Sequence, residues 1–132
     1  MSRLEERIEN FNKAFELFTT MRNNFVTDKQ NDSNKLALTQ SFEIIFELGW
    51  KVLKDYLAVK SIEVYTPKDV IKSAFAANII KNGQAWIDMA NDRNASSHEY
   101  NMDKVSKILE NISTLYYDEL CRFKEQIKDF NE

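Results

Sequence analysis

Apolar residues recur at helical spacing along most of the chain and predict long α-helices. The first stretch, from about Ser2 to Phe25, has apolar residues at steps of three, four and seven. These residues are Leu4, Ile8, Phe11, Phe15, Phe18 and Phe25. The polar segment TDKQNDSN follows and predicts a loop. Ser33 or Asn34 is expected to cap a second helix, which runs to about Val59.

The second predicted helix is apolar on two faces. One stripe contains Phe42, Ile45, Phe46, Leu53 and Leu57, and the other contains Ile44, Leu48 and Val52. A helix with two apolar faces either lies at the centre of its own bundle or also packs against another subunit. Gly49 lies inside this helix, at a cost of about 1 kcal/mol relative to alanine. Close approach of a second backbone is the expected compensation, and a merely tolerated glycine is the alternative.

The second half of the chain predicts three more helices. TPKD at 66–69 is a helix start, since Thr66 can cap, Pro67 suits the first helical position and Asp69 complements the helix dipole. This third helix ends near Ala77, and its expected buried residues are Val70, Ile71, Ala74 and Phe75. After a turn at Asn82 and Gly83, the fourth helix runs from about Gln84 to Asn94, with Trp86, Met89 and Ala90 facing inward.

Asn101 is expected to cap the last helix, and a heptad-like stripe continues to the end of the chain. Its members are Val105, Ile108, Ile112, Leu115, Phe123, Ile127 and Phe130. Two glycines and one proline in 132 residues are too few for a strand-rich fold, which needs frequent turns. The sequence therefore predicts an all-α, up-down bundle of about five helices in one domain, residues 1–132.

Charge and cysteine content narrow the classes of function. The 18 basic and 21 acidic side chains give a net charge of −3, so tight non-specific binding to duplex nucleic acid is not expected, although a local basic cleft remains possible. Cys121 is the only cysteine, which fits a reducing cytoplasm. No apolar run approaches the ~20 residues of a membrane span, and the charged N-terminus is unlike a signal peptide. A cytoplasmic protein without membrane association is expected.

The segment RNASSHEY, residues 93–100, brings together side chains that can act on a phosphate. Arg93 follows the inward residues of the fourth helix, and His98, the single histidine, lies in the connection to the last helix. Arginine presents a planar fork to phosphate, and histidine transfers protons near neutral pH. They could cleave RNA if His98 took the proton of the ribose 2′-hydroxyl and Arg93 stabilised charge at phosphorus. Asn94 could orient the phosphate or the ribose.

Other interpretations of this segment stay open. An arginine and a histidine near a helix end commonly serve as a cap and a junction hydrogen bond. Asp88, Asp92 and Glu99 could join His98 in a carboxylate metal site, but no HxxH, CxxC or EF-hand spacing is present. The sequence also has no P-loop, GxGxxG or GxSxG motif. Neither a metal nor a cofactor is therefore expected.

The spacing R-x4-H-x-Y, here Arg93, His98 and Tyr100 with polar Asn94 after the arginine, resembles the motif of HEPN domains. These all-helical proteins are encoded beside minimal nucleotidyltransferases. The segments 38–57, 66–80 and 83–100 resemble the family's successive blocks, so the resemblance covers nearly the whole chain. It is greatest to the branch named nucleotidyltransferase substrate-binding proteins and to the related HepT toxins.

The resemblance implies one of two functions. In HepT-like proteins the motif is the active site of a metal-independent ribonuclease toxin, formed where two protomers meet. An MntA-type nucleotidyltransferase antitoxin silences the toxin by transferring AMP to the motif tyrosine, here Tyr100. The older name implies instead a non-catalytic subunit that helps a minimal nucleotidyltransferase bind its substrate. The intact motif favours the toxin, and the acidic net charge keeps the second function open.

A homodimer is expected on chemical grounds as well. Cleavage of RNA by general acid and base works best with two proton-transferring groups, and the chain has one histidine. A two-fold axis near His98 would supply a second, and the two-faced second helix offers apolar surface for an isologous contact. A thicker monomer core is the alternative use of that surface.

Overall fold

The computed structural model describes residues 1–96 and 102–131, and these ranges are helical apart from short connections. The α-helices are α1 Arg3–Thr27, α2 Asp32–Val59, α3 Pro67–Ala76, α4 Gly83–Ser96, α5 Met102–Asn111 and α6 Tyr117–Gln126. A π-helical turn, Ile112–Tyr116, joins α5 to α6, and a 3-10 turn, Ile127–Asp129, follows α6. The described ranges contain no β-strand. The predicted all-α class is confirmed, with α5, the π-turn and α6 together forming the fifth helix.

The first two helices form an antiparallel pair. Arg7 near the start of α1 donates from Nε to Asp55 near the end of α2, at 3.0 Å. The connection between the helices is short, residues 28–31. Asn31 caps α2, since its side chain accepts from the backbone N–H of Asn34 at 2.9 Å. The expected cap at Ser33 or Asn34 was wrong, because the Asn34 amide donates backwards to the carbonyls that close the loop.

The last helix lies beside this pair and completes the up-down arrangement. Phe11 of α1 meets Phe123 edge-on with ring centroids 5.4 Å apart, and Phe15 stacks on Tyr117 at 6.0 Å. The residue numbers therefore rise along α1 as they fall along the last helix, so the two run antiparallel. Each buried phenylalanine contributes about 1.5–3 kcal/mol through removal of its surface from water. Aromatic burial thus accounts for much of the contact between α1 and the last helix.

The shorter helices α3 and α4 lie in the connection between α2 and the last helix. Thr66 caps α3 as predicted, accepting from the backbone N–H of Asp69 at 3.3 Å. Trp86 fixes α4 because its fully buried indole lies edge-on against Phe123 at 4.9 Å and tilts against Phe46 at 6.3 Å. The inward positions predicted for α4 are confirmed, since Trp86, Met89 and Ala90 are buried.

Gly49 of α2 makes room for this tryptophan. A Cβ atom at Gly49 would lie 3.3 Å from Cη2 of Trp86 and 3.4 Å from Cε2 of Phe11. Both atoms belong to side chains, so the expected approach of a second backbone was wrong. The glycine lets two aromatic rings from α1 and α4 lie directly against the α2 backbone.

The π-turn changes the register of the last helix. The backbone N–H of Tyr117 donates to the Ile112 carbonyl, five residues back, so the turn holds one residue more than an α-helical turn. Leu115 is consequently turned to the surface and is 64% exposed, whereas Tyr116, four residues after the buried Ile112, is buried. The predicted burial of Leu115 was wrong, because the heptad count assumed an unbroken α-helix.

An arginine of α1 donates a hydrogen bond to the backbone of this turn. The carbonyl of Ser113 accepts from Arg22 Nε at 2.8 Å, and the Arg22 guanidinium also lies 4.5 Å from the centre of the Tyr117 ring. An arginine in α1 therefore stabilises the π-turn by a charged hydrogen bond and a cation–π contact.

Phe75 was also predicted to be buried, and this was wrong. It is 53% exposed, whereas Val70, Ile71 and Ala74 are buried as expected. At about 100° per residue, Phe75 lies at the edge of the face formed by those three residues. Its ring instead covers Gly83 at the start of α4, where an added Cβ would come within 3.0 Å of it.

The two apolar stripes of α2 differ in how far they are buried. All five members of the first stripe are buried, so it faces the core of the bundle. Of the second stripe, Val52 is buried and Leu48 is partly buried, but Ile44 is 50% exposed. The outer face of α2 therefore presents apolar surface around Ile44 that α1, α3 and α4 leave uncovered.

Candidate active site

Arg93 is positioned by the packing of α4. Its helix is held at Trp86, Met89 and Ala90, which are buried at successive turns of one face. Arg93 lies one turn further on, in the last turn of the helix, and 38% of its side chain is exposed. The backbone is thus fixed by the core while the guanidinium reaches the surface.

Glu47 of α2 lies opposite this guanidinium. Its Oε2 atom is 4.0 Å from Arg93 Nη2, and Arg93 Nη1 is 3.5 Å from the side-chain oxygen of Asn94. Glu47 also accepts from the Trp50 indole N–H at 2.9 Å and lies 3.4 Å from Lys51 Nζ. The carboxylate is therefore anchored by two groups of its own helix while it pairs with Arg93.

Ser96 fastens the end of α4 to α2. Its hydroxyl lies 2.9 Å from the Arg93 carbonyl oxygen and 3.3 Å from a carboxylate oxygen of Glu43, and it can donate to either. Together with the Arg93–Glu47 pair, this brings the last turn of α4 against the middle of α2. The Ile44 surface of α2 follows Glu43 directly, so it lies beside the part of α4 that carries the motif.

Asp92 connects the end of α4 to the π-turn that precedes α6. The buried Tyr116 hydroxyl donates to Asp92 Oδ2 at 2.5 Å, and its ring stacks on Phe42 with centroids 5.7 Å apart. Burial, followed by the hydrogen bond to Asp92, raises the pKa of the Tyr116 phenol well above its ordinary value. Tyr116 faces the core because it lies one turn after the buried Ile112. Asp92, the residue before Arg93, is therefore held by a buried side chain of the π-turn.

A cleft of about 350 Å³ opens in front of Arg93, within the range of small-molecule sites. Its walls come from α2, from α4 and from the start of α3. The lining residues are Phe46, Glu47, Thr66, Pro67, Lys68, Ala90, Arg93 and Asn94. Two cations and one carboxylate line it, so the cleft is locally positive in a chain of net charge −3. The arrangement combines an apolar floor with cationic and amide groups, which suits a phosphate ester.

The structure places two of the predicted site residues, Arg93 and Asn94, next to each other at this cleft. His98 and Tyr100 lie outside the described residues, as does the predicted cap Asn101. The roles assigned to these residues stay predictions.

The carboxylates considered for a metal site have other partners where they are described. Asp92 accepts from Tyr116, and Asp88 accepts from the Gln84 amide at 2.8 Å, whereas Glu99 lies outside the described residues. Within residues 1–96 and 102–131, no group of three or more metal-binding side chains comes together. No described helix is both long and apolar enough to cross a membrane.

Sequence reasoning missed three residues of this site: Glu47, Lys68 and Tyr116. Glu47 gave one usable signal, since it is a carboxylate between two apolar stripes of α2 and so needs a partner. Lys68 follows Pro67 in a helix start, a position that says nothing about a cleft. Tyr116 was missed because the heptad count placed its neighbour Leu115 on the buried face.

Comparison with known proteins agrees with the resemblance drawn from the R-x4-H-x-Y motif. Residues 6–129 match the family described as nucleotidyltransferase substrate binding protein like. A protein of Haemophilus influenzae named "Probable ribonuclease HepT" is 26% identical over 98 residues, which cover 70% of this chain. The match spans 66% of that relative's length. A crystal structure of a protein from Thermus thermophilus superposes with a TM-score of 0.74 at 26% identity, covering 89% of this chain and 95% of the other.

Proposed function

Because this chain belongs to the nucleotidyltransferase substrate binding protein-like family and is a HepT-like HEPN protein, we propose that it is a ribonuclease toxin. Its substrate is RNA, and its antitoxin is a minimal nucleotidyltransferase of the MntA type. The pair acts in the cytoplasm. The observation that carries the proposal is the guanidinium of Arg93, the first residue of R-x4-H-x-Y, at a locally positive cleft. The name of the Haemophilus relative supports the same activity.

The proposed reaction is attack of a ribose 2′-oxygen on the adjacent phosphorus. The new O2′–P bond forms as the P–O5′ bond breaks, leaving a 2′,3′-cyclic phosphate and a 5′-hydroxyl. His98 accepts the 2′ proton, and Arg93 stabilises the negative charge that develops on the phosphate oxygens. Asn94 donates from its amide to the phosphate or the ribose. Every step uses protein groups, so the reaction requires neither a metal nor a cofactor.

The proposal includes a homodimer, because the departing 5′-oxygen also needs a proton and the chain has one histidine. A second copy supplies the second imidazole if the two-fold axis passes near the motif. The exposed surface around Ile44 supports this placement, since it adjoins Glu43, which contacts the end of α4. An isologous contact there brings the two clefts together.

Regulation follows from the chemistry of Tyr100 in the motif. We propose that the nucleotidyltransferase moves AMP from ATP to the Tyr100 phenol, forming an O–P bond and releasing pyrophosphate. The added group carries a negative charge and a bulky nucleoside into the neighbourhood of Arg93. It therefore competes with RNA for the cation and fills the space in front of it.

The second candidate function is a non-catalytic substrate-binding subunit of a minimal nucleotidyltransferase. The description of the matching family favours it, and so does the acidic net charge of −3. Under this alternative the cleft binds the transferase's substrate. A host that expresses His98→Ala should then grow like one that expresses the parent chain.

Growth arrest separates the two functions. Expression of the parent chain without the nucleotidyltransferase should stop growth of a bacterial host. Arg93→Ala and His98→Ala should each restore growth at equal protein levels, because each removes a group that the chemical step requires. Arg122→Ala is a matched control, since that exposed arginine pairs with Glu119 away from the cleft. Toxicity of His98→Ala equal to the parent's would favour the substrate-binding subunit.

Mass spectrometry tests the regulatory step. Incubation with the proposed antitoxin, a minimal nucleotidyltransferase, and ATP should add AMP to Tyr100 and remove ribonuclease activity. Tyr100→Phe lacks the accepting oxygen, so it should stay active under the same treatment. An unmodified Tyr100, or a Tyr100→Phe chain silenced as fully as the parent, would contradict this mechanism.

A further inference from the structure

The cleft in front of Arg93 contains a second cation that the R-x4-H-x-Y motif does not include. Lys68 lies in the first turn of α3, on the wall of the cleft contributed by a different helix from that of Arg93. The lysine side chain is exposed. No carboxylate of the described chain forms an ion pair with it. Its charge is thus available to a ligand, whereas the charge of Arg93 is shared with Glu47.

The cleft has the shape and chemistry of a site for a nucleotide unit. Phe46, Pro67 and Ala90 supply apolar surface in the cleft that Lys68 and Arg93 line, and Asn94 adds a polar group. Its volume of about 350 Å³ accommodates more than a bare phosphate. A nucleotide flanked by phosphates offers an apolar base and sugar face together with two anions, which matches a lining of apolar groups and two cations.

We propose that Lys68 binds the phosphate next to the scissile one, so that the cleft holds one nucleotide of single-stranded RNA between two cations. This inference rests on the proposed function, because the scissile phosphate is the one assigned to Arg93. Lysine binds phosphate as a point charge without demanding one orientation, which suits a residue that holds the strand in place. Lys68 is thus a substrate-binding residue that does not take part in the chemical step.

Binding of RNA in the absence of cleavage tests this role. The probe is a fluorescein-labelled oligouridylate of about ten nucleotides, long enough to fill one single-strand site. Its anisotropy is measured against increasing protein in a His98→Ala background, at several salt concentrations. Lys68→Gln should raise the Kd about tenfold at low salt, as expected for loss of one charge-assisted phosphate contact. It should also reduce the slope of log K against log salt by about 0.7.

Matched variants distinguish a specific effect of Lys68 on RNA binding from a general effect of positive charge. Lys72→Gln removes the same charge one turn further along α3, from an exposed lysine that does not line this cleft. It should change the Kd less than about twofold, and Lys68→Arg should restore binding, because the positive charge returns. Equal effects of Lys68→Gln and Lys72→Gln, or no effect of either, would overturn the assignment.

The ribonuclease proposal is tested separately by cleavage of the same RNA by the parent chain. If the parent does not cleave but Lys68→Gln weakens binding as described, the phosphate site stands and the ribonuclease proposal fails. If the parent cleaves while Lys68→Gln binds and cleaves like the parent, the ribonuclease proposal stands and the Lys68 site fails.

Discussion

Tyr116 shows how one side chain links the core to the residues beside the motif. Its phenol is buried against Phe42 and donates to Asp92, the residue before Arg93. Removal of one partner of a buried hydrogen bond to a charged group costs about 1.5–3 kcal/mol. We therefore expect Tyr116→Phe to lower the free energy of unfolding by about that amount near neutral pH, as measured by urea denaturation.

The raised pKa of Tyr116 also predicts how stability depends on pH. The unfolded chain releases the phenol proton near its ordinary pKa of 10.0, whereas the folded protein retains it. The unfolded state then binds fewer protons, so this contribution to stability is complete below pH 10 and declines above it. Urea denaturation from pH 7 to 11 should show a decline above pH 10 that is steeper in the parent than in Tyr116→Phe. Parallel pH profiles for the two proteins would contradict this.

At the level of helices, most of the architecture could be predicted from the pattern of apolar residues. The ends of α1, α2 and α3 were placed within a few residues, because Thr66, Pro67 and the polar loop are strong local signals. The ends of α2 and α3 carry a left-handed residue without glycine, Ser61 with φ 66° and Asn78 with φ 59°. Each helix end is closed by a backbone hydrogen bond from the next residue, Ile62 N–H to the Leu57 carbonyl and Ile79 N–H to the Ala74 carbonyl, both at 2.9 Å. Apolar spacing alone does not locate these closures.

The register of the last helix could not be predicted for a similar reason. The π-turn has a distant partner, since Arg22 on α1 donates to the Ser113 carbonyl within it. Sequence separation between Arg22 and Ser113 hides this contact from any local pattern. Leu115 was consequently placed in the core and Tyr116 was not, the reverse of what the structure has.

The candidate site was also predictable only in part from the sequence. Arg93 and Asn94 were found from the local motif, and the structure adds Glu47 and Lys68 from helices far away in sequence. Glu47 reaches Arg93 because α2 and α4 pack together at Trp86 and Gly49, and Lys68 lines the same cleft because α3 packs against both helices. A motif can thus identify the residues proposed for the chemistry, but the groups that orient them come from tertiary packing.

For the molecule as a whole, the proposed active form is a dimer built on the outer face of α2. Light scattering at micromolar concentration should give about twice the 15.5 kDa chain mass. Ile44→Asp should shift the mass toward that of one chain, because a buried carboxylate at an apolar contact is strongly unfavourable. The variant should keep its helical circular dichroism, since Ile44 is 50% exposed in the chain alone.

Leu17 provides the matched control for this experiment, since it is 51% exposed on α1, a helix that contributes no residue to the cleft. Leu17→Asp introduces the same charge at a similar exposure and should leave the dimer intact. A monomeric parent chain, or equal effects of the two variants on mass, would contradict a dimer through α2.

Cleavage of RNA by the purified chain tests the central claim most directly. Single-stranded RNA should be cut in the presence of EDTA, leaving 2′,3′-cyclic phosphate and 5′-hydroxyl ends. The His98→Ala protein should be inactive, and a substrate with a deoxyribose at the cleavage position should stay intact, because it lacks the attacking oxygen. Failure of the folded parent chain to cut RNA, or cleavage by His98→Ala at the parent's rate, would contradict the proposed ribonuclease site.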